Sequence, residues 1–152
     1  MDAFKRFYSN APKDDAGNRD YAAVMPEFWE SVFDKEGFSI WICTYNYNDE
    51  NTIGFMTSNL VGGFVQRSDA LRRHAFGIMH ILNNEKPFEV TGCWMLRGQS
   101  IQPMLDSNPD AEYYSWTKID PGNEEDRKRV EEYWTAEEKL MGKDIFDGKI
   151  FK

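Results

Sequence analysis

Two apolar segments separated by a short turn place the strongest constraint on how this chain can fold. Residues 76–82 and 88–97 are each predicted as a strand, and residues 83–87 between them form a short turn. A connection this short can only join antiparallel neighbours, because a parallel pair needs a crossover of about a dozen residues or more. The sequence therefore predicts a β-hairpin near the middle of the chain.

The remaining segments predict helices and strands that surround this hairpin. Residues 38–47 carry apolar groups on both faces and have no helical period, which predicts a covered strand. Helical spacing of apolar residues predicts helices at residues 4–8, from about 25 to 37, across 60–71 and from 124 onward. Further strands are predicted at residues 52–58 and 113–119, and a loop is predicted at 9–21. The fold class is α+β, with an antiparallel sheet of five strands flanked by α-helices.

Length and composition limit the classes of protein to consider. A chain of 152 residues with 41% hydrophobic residues suits a single domain, residues 1–152, with a proper core. The net charge of −8 disfavours nonspecific binding to nucleic acid and to anionic membranes. Cys43 and Cys93 lie in apolar runs, which indicates buried free thiols and a reducing compartment. No apolar run is long enough to predict a transmembrane helix.

The search for catalytic and metal-binding patterns points away from an enzyme. His74 and His80 are too widely spaced for a typical zinc pair, and a Cys93–His80 pair is better explained as two buried strand residues. Gly62-Gly63 matches neither a P-loop nor a dinucleotide fingerprint, and we expect it to pack closely against a neighbouring element. We therefore predict no catalytic residue, no cofactor, no metal site and no small-molecule substrate.

Two groups of residues form the candidate interaction surface. Three arginines near the end of the third predicted helix could contact RNA phosphate or an acidic partner, although capping of the helix C-terminus explains them more simply. Three aromatic residues alternate along the strand at 38–47, and they would face outward only if helices cover one face of the sheet. The candidate surface comprises Trp41, Tyr45, Tyr47, Arg67, Arg72 and Arg73.

Several sequence blocks, in order, carry a family resemblance. They are FKRFYSN at residues 4–10, PEFWE at 26–30, FSIW at 38–41, FMTSNLVGGFVQR at 55–67, RGQ at 97–99, YSWTKIDPG at 114–122 and GKIFK at 148–152. Together these blocks resemble the C-terminal domain of the elongation factor 1-gamma family. The resemblance implies a single domain with a five-stranded antiparallel sheet. It also implies a longer subunit, whose glutathione-transferase-like N-terminal region is absent from this sequence and would hold any transferase-like activity.

The resemblance also implies a function. Members of this family belong to the cytoplasmic guanine-nucleotide-exchange complex of translation elongation, in which other subunits perform the exchange. The implied partners are the other subunits of the elongation factor 1 complex and tRNA synthetases, and no catalytic residue is carried over. We expect a non-catalytic interaction and scaffolding domain. The main alternative is an RNA- or ribosome-contacting module around Arg67, Arg72 and Arg73, and an enzyme with a deep pocket at His74, His80 or Cys93 ranks third.

Overall fold

A computed structural model describes residues 1–13 and 20–152, without the side chains of Asp2 and Ala3. The middle of the loop predicted at residues 9–21 therefore lies outside the described residues. The helices of the described chain are α1 (Asp2–Ser9), α2 (Met25–Glu27, continued by a π-helical turn at Phe28–Val32), α3 (Gly54–Arg67), α4 (Gln102–Ser107) and α5 (Glu124–Thr135). The strands are β1 (Phe38–Tyr45), β2 (Ala75–Leu82), β3 (Glu89–Arg97), β4 (Tyr114–Lys118), β5 (Lys139–Leu140) and β6 (Lys143–Phe151).

The strands form one antiparallel sheet in the order β4-β1-β3-β2-β6-β5. The predicted α+β class and antiparallel sheet are confirmed, with six strands in the described chain where the sequence predicted five. The predicted hairpin is also confirmed, since β2 and β3 pair without interruption from Ala75↔Leu96 to Leu82↔Glu89. This hairpin occupies the centre of the sheet, with β1 and then β4 added beyond β3, and β6 and then β5 added beyond β2.

The segment predicted as a strand at residues 52–58 is instead the beginning of α3. Thr57 is buried, and its hydroxyl donates to the carbonyl oxygen of Ile53 one turn earlier at 2.9 Å, a bond that only a helix provides. Phe55 and Met56 are both exposed although they are adjacent, which a half-buried strand does not allow. The β-forming composition of this segment therefore predicted the wrong element.

The additional strands come from the end of the chain. β6 pairs with β2 from Gly77↔Phe151 to Leu82↔Ile145, and β5 adds a two-residue edge beyond it. The sequence of β6 contains Gly148 and several charged residues, a composition that is depleted in strands. Charged residues are tolerated here because this strand lies near the edge of the sheet, where they also discourage pairing with another chain.

Helices α1, α2 and α5 cover one face of the sheet, where aromatic rings form the core. Phe4 and Phe76 approach to 4.8 Å between ring centroids, and Trp134 lies 5.4 Å from Phe76 and 5.3 Å from Phe28. All four rings are buried. Edge-to-face pairs of this kind each contribute about 0.5–1.5 kcal/mol beyond their buried area.

Helices α3 and α4 cover the opposite face. Phe64 of α3 packs against Trp94 of β3 at 5.7 Å between ring centroids, and Met104 of α4 belongs to the same buried cluster. The Trp94 indole lies directly over Gly77, where a Cβ would come within 2.2 Å of the ring. Since helices cover both faces, the aromatic residues of β1 do not face an open side of the sheet.

Gly62 and Gly63 of α3 do not pack closely against a neighbouring element, so the prediction of close packing is wrong. Among the described residues, a Cβ at Gly62 would meet no atom within 4 Å, and the nearest atoms to one at Gly63 belong to the Arg67 guanidinium, at 2.7 Å. Gly62 therefore lowers helix stability, and no packing contact within the described part of the chain offsets this.

We expect Gly62→Ala to raise the free energy of unfolding by about 0.5–1 kcal/mol, because alanine restricts the unfolded chain and favours the helix. Gly77→Ala is the contrasting variant, since its Cβ would clash with the Trp94 ring and lower stability. Urea unfolding of both variants measures the two effects. Destabilisation by Gly62→Ala would contradict the open environment of this glycine.

Candidate interaction surface

The structure brings three of the six candidate residues together and places the other three elsewhere. Tyr45, at the end of β1, contacts Tyr47 just beyond it with ring centroids 5.8 Å apart. Arg67, at the end of α3, lines the same cleft as Tyr45. Tyr47 is 46% exposed, so this group contains a ring that is open to solvent.

These residues belong to a cleft of about 420 Å³ between α3, the end of β1 and the 3-10 turn at Pro109–Tyr113. We call it the tyrosine cleft, and its lining residues are Tyr45, Met56, Asn59, Leu60, Arg67, Asp110, Tyr113 and Tyr114. The Tyr47 ring stands beside it, 6.4 Å from the Tyr113 ring. Met56 and Tyr113 are 55% and 45% exposed, so the cleft combines apolar side chains with access to solvent.

Tyr114 contributes a buried polar atom to this cleft. Its ring is 5% exposed and packs against Phe64 and Tyr45, with centroids 4.6 and 5.2 Å away. The Tyr114 hydroxyl has no hydrogen-bond partner among the described residues. A buried hydroxyl without a partner costs about 1–3 kcal/mol, so this atom is an unused hydrogen-bonding group at the cleft. Burial also raises the pKa of Tyr114 above its usual value, which keeps the hydroxyl protonated.

The charge of Arg67 is balanced within the cleft. Its guanidinium forms an ion pair with Asp110, and the absence of a side chain at Gly63 leaves room for it to fold back over α3. Both partners are partly exposed, so the pair contributes little to stability. It does remove the net positive charge that an RNA phosphate would require.

Trp41 lies on the same strand as Tyr45 but does not line the cleft. It is half-buried, its indole N–H donates to the Ser39 hydroxyl at 2.8 Å, and the Lys118 ammonium lies 5.7 Å from its ring centre. These contacts indicate a supporting position on the sheet, so Trp41 is not available as an exposed ring.

Arg72 belongs to a second, basic cluster. It forms an ion pair with Asp69 at 2.8 Å, and its guanidinium lies 4.8 Å from the centre of the Phe151 ring. Lys5 lies near the same ring and donates to the Arg72 carbonyl oxygen, and Arg72 donates to the Lys152 carbonyl oxygen at 2.8 Å. Phe151 is 1% exposed, so its ring is not available to stack on a base.

Arg73 follows in the chain and is exposed. Among residues 1–13 and 20–152 it has no ion-pair partner. The three candidate arginines therefore differ in environment, and they do not form a single basic patch.

Met56, Asp110, Tyr113 and Tyr114 were not predicted as site residues from the sequence. Tyr113 and Tyr114 were assigned to a strand, and Asp110 to a long connection. The available signal was the pair Phe55-Met56, because the buried stripe of Val61 and Phe64 continues to Thr57 one turn earlier and leaves these two apolar residues off the buried face. That signal could not be used while residues 52–58 were predicted as a strand.

The enzyme hypothesis predicted a pocket with a perturbed His74, His80 or Cys93. His80 does line a cleft, and burial lowers the pKa of its imidazole. One of its ring nitrogens lies 2.8 Å from the Tyr133 carbonyl oxygen. Cys93 is fully buried within the sheet, where burial raises its pKa, and His74 is exposed. The other ring nitrogen of His80 has no partner among the described residues, and His80 and Cys93 are two buried strand residues, as the sequence predicted.

The predicted buried free thiols are confirmed for both cysteines. Cys43 and Cys93 are unbonded and fully buried, on opposite faces of the sheet, and burial raises the pKa of each thiol. The described part of the chain contains no group of three or more His, Cys, Asp or Glu side chains placed to hold a metal ion. Within that part, no helix combines the length and the apolar character needed to cross a lipid bilayer.

The fold and the tyrosine cleft define an α+β domain with a partly exposed aromatic surface, and comparison with known proteins supplies its family. The family model described as "Elongation factor 1 gamma, conserved domain" matches residues 1–100. The chain therefore belongs to the elongation factor 1-gamma family, and the resemblance found in the sequence blocks is confirmed.

Named relatives agree with this assignment. The chain is 42% identical over 153 residues to elongation factor 1-gamma of Prunus avium, and the match covers 100% of this chain and 35% of that protein. It is 41% identical over 156 residues to elongation factor 1-gamma-A of Xenopus laevis, covering 100% of this chain and 34% of that protein. The chain thus spans about a third of the length of the curated relatives it matches.

We expect the stability of the protein to fall as the pH drops below about 6.5, because His80 is neutral in the fold and its pKa is lowered from 6.5. The unfolded chain then binds a proton that the folded chain does not, with a slope of up to about 1.4 kcal/mol per pH unit until the folded His80 also titrates. The titratable groups that line its cleft are Tyr8, Tyr21, Tyr133, Glu137 and Lys149.

Thermal unfolding between pH 5 and 8 measures this effect. His80→Gln should flatten the acid side of the profile, because glutamine does not titrate. His74→Gln is the matched control at an exposed position. An unchanged profile in His80→Gln would show that other groups cause the acid sensitivity.

Proposed function

We propose that this chain is a non-catalytic protein-interaction domain that acts in translation elongation as part of the cytoplasmic elongation factor 1 complex. Residues 1–152 correspond to the C-terminal domain of a longer subunit, whose glutathione-transferase-like region precedes it. The partners are other subunits of that complex and tRNA synthetases. The proposal is supported by the family assignment and by the tyrosine cleft as a surface suited to a protein partner.

The main support for this proposal is the residue composition of the tyrosine cleft. Tyrosine, methionine and arginine are enriched at protein interfaces, and tyrosine and arginine dominate the residues that contribute most to binding. Here Tyr47, Tyr113 and Met56 are each about half exposed around the Arg67–Asp110 ion pair. The unpartnered Tyr114 hydroxyl adds a polar group that a partner can satisfy.

Charge favours a protein partner over RNA at this surface. Asp110 balances Arg67, and the net charge of the chain is −8. RNA binding without a strong basic face gains little from counterion release. The basic cluster at Arg72 surrounds the Phe151 ring, which is buried and cannot stack on a base. Recognition of single-stranded RNA normally requires exposed rings beside positive charges.

The RNA- or ribosome-contacting alternative retains one supporting observation: Lys5 and Arg72 meet at the Phe151 ring, and Arg72 also bonds to the carbonyl oxygen of Lys152. Gel-shift titration with tRNA and ribosomal RNA at low salt tests it. Binding that Arg72→Glu weakens and that Met56→Asp leaves intact would support RNA contact through this cluster. Undetectable binding would eliminate the alternative.

Met56→Asp is expected to weaken partner binding about tenfold or more, because it places a charge in the apolar part of the tyrosine cleft. Aspartate is favourable in the first turn of α3, so the fold should be retained. Met141→Asp is the matched control, since Met141 is 53% exposed against 55% for Met56 and lies in the β5–β6 turn.

The measurement is retention of purified elongation factor 1 subunits and tRNA synthetases on the immobilised chain. If the wild-type chain retains none of them, the proposed interaction role is wrong. If Met56→Asp binds as tightly as wild type, the role stands but the partner occupies a different surface.

Tyr114→Phe tests the unused hydroxyl. We expect the free energy of unfolding to stay unchanged or to rise by about 1 kcal/mol, because the variant removes a buried polar group that has no partner. Binding to a retained partner should weaken, because the hydrogen bond to Tyr114 is lost. Tyr133→Phe is the control: its hydroxyl lies 2.6 Å from the Thr91 hydroxyl, so its loss should lower stability. A less stable Tyr114→Phe would show that this hydroxyl is already satisfied in the free protein.

A further inference from the structure

A second cleft, on the opposite face of the sheet, contains a buried histidine nitrogen that has no hydrogen-bond partner among the described residues. It measures about 260 Å³ and lies between α1, the end of α5 and β6. We call it the His80 cleft, and its lining includes Tyr8, Tyr21, His80, Tyr133, Glu137 and Gly148. The family assignment and the tyrosine cleft give it no role.

The tautomer of His80 follows from its one hydrogen bond. Nε2 lies 2.8 Å from the Tyr133 carbonyl oxygen, which can only accept, so Nε2 carries the proton. Burial lowers the pKa of His80, so the ring is neutral near pH 7 and Nδ1 holds a lone pair. His80 is 5% exposed, and Nδ1 has no donor among the described residues. The cleft therefore contains an unsatisfied hydrogen-bond acceptor.

Gly148 leaves space beside this acceptor. It is the β6 neighbour of His80, and a Cβ at this position would lie 3.6 Å from Nδ1. That distance is an ordinary contact, so a methyl group could occupy the space without displacing the histidine. A donor that approaches Nδ1 on its β6 side must pass through the space that glycine leaves open.

Two tyrosine hydroxyls on the aromatic walls are already paired. The Tyr8 hydroxyl donates to the Trp134 carbonyl oxygen at 2.8 Å, and the Tyr133 hydroxyl bonds with Thr91. The Tyr8 and Tyr21 rings stack at 4.3 Å with an interplanar angle of 8°. The walls therefore offer aromatic surface and His80 Nδ1 as a buried acceptor, with Glu137 and Lys149 as the charged residues of the lining.

We propose that the His80 cleft binds a small aromatic molecule that carries an N–H or O–H donor, which bonds to His80 Nδ1. The volume of the cleft suits a group of one or two rings, and the aromatic lining supplies most of the contact. The bond to the buried Nδ1 of His80 fixes the orientation of the ligand. This proposal does not rest on the proposed function, because the two clefts lie on opposite faces of the sheet.

Indole and benzofuran are matched probes, since the two bicyclic molecules are similar in shape and only indole has an N–H donor. Titration of each into isotope-labelled protein, followed by NMR signals of the His80 ring and the Gly148 amide, measures the affinity. Saturable shifts with indole, and binding at least tenfold weaker for benzofuran, are expected. Equal affinities, or no shift up to the solubility limit of indole, would overturn the proposal.

Two variants test the location. Gly148→Ala fills the space beside Nδ1 and should weaken indole binding at least tenfold, with the thermal unfolding midpoint little changed. Tyr21→Leu removes one face of the stacked pair, is only partly buried and should also weaken binding. Unchanged indole binding in a folded Gly148→Ala protein would contradict the proposal. If Gly148→Ala does not fold, unchanged indole binding in Tyr21→Leu would contradict the proposal instead.

Discussion

The structure depends on a sheet whose central strands are apolar on both faces. Strands β1, β2 and β3 alternate side chains between two separate cores, so each face needs its own helical cover. Helices α1, α2 and α5 provide one cover, and α3 and α4 provide the other. With both faces closed, surfaces for binding are confined to the margins, where helix ends, turns and edge strands meet. Both clefts described above lie at such margins.

Much of this fold could be predicted from local sequence signals. The β2–β3 hairpin, β1, β4 and α5 each have a strong pattern of apolar spacing, turn residues or helix-terminal charge. The start of α3 could not be predicted, because its β-forming residues adopt a helix only when tertiary packing outweighs propensity. β6 could not be predicted either, since its charged composition suits a strand only once its partner β2 is in place.

The candidate surface shows a different limit of sequence reasoning. Tyr45, Tyr47 and Arg67 were predicted, but what makes them a cleft is the turn near residue 110, which comes from a distant part of the chain. The sequence showed three arginines close together and could not show that aspartates from other positions balance two of them. The environment of the two His80 ring nitrogens depends likewise on the Tyr133 carbonyl oxygen of α5 and on Gly148 of β6. The local sequence around His80 reveals neither of these neighbours.

The basic cluster around Phe151 has a topological consequence. Lys5 of α1 and Lys152 at the end of β6 both contact Arg72, and Lys152 also donates to the Ser9 hydroxyl of α1 at 3.0 Å. The first helix and the last strand therefore finish side by side on one corner of the domain. The bond between Lys152 and Ser9 joins residues 143 positions apart, so the entropic cost of closing so long a loop is met by the sheet and the two cores that fold between them.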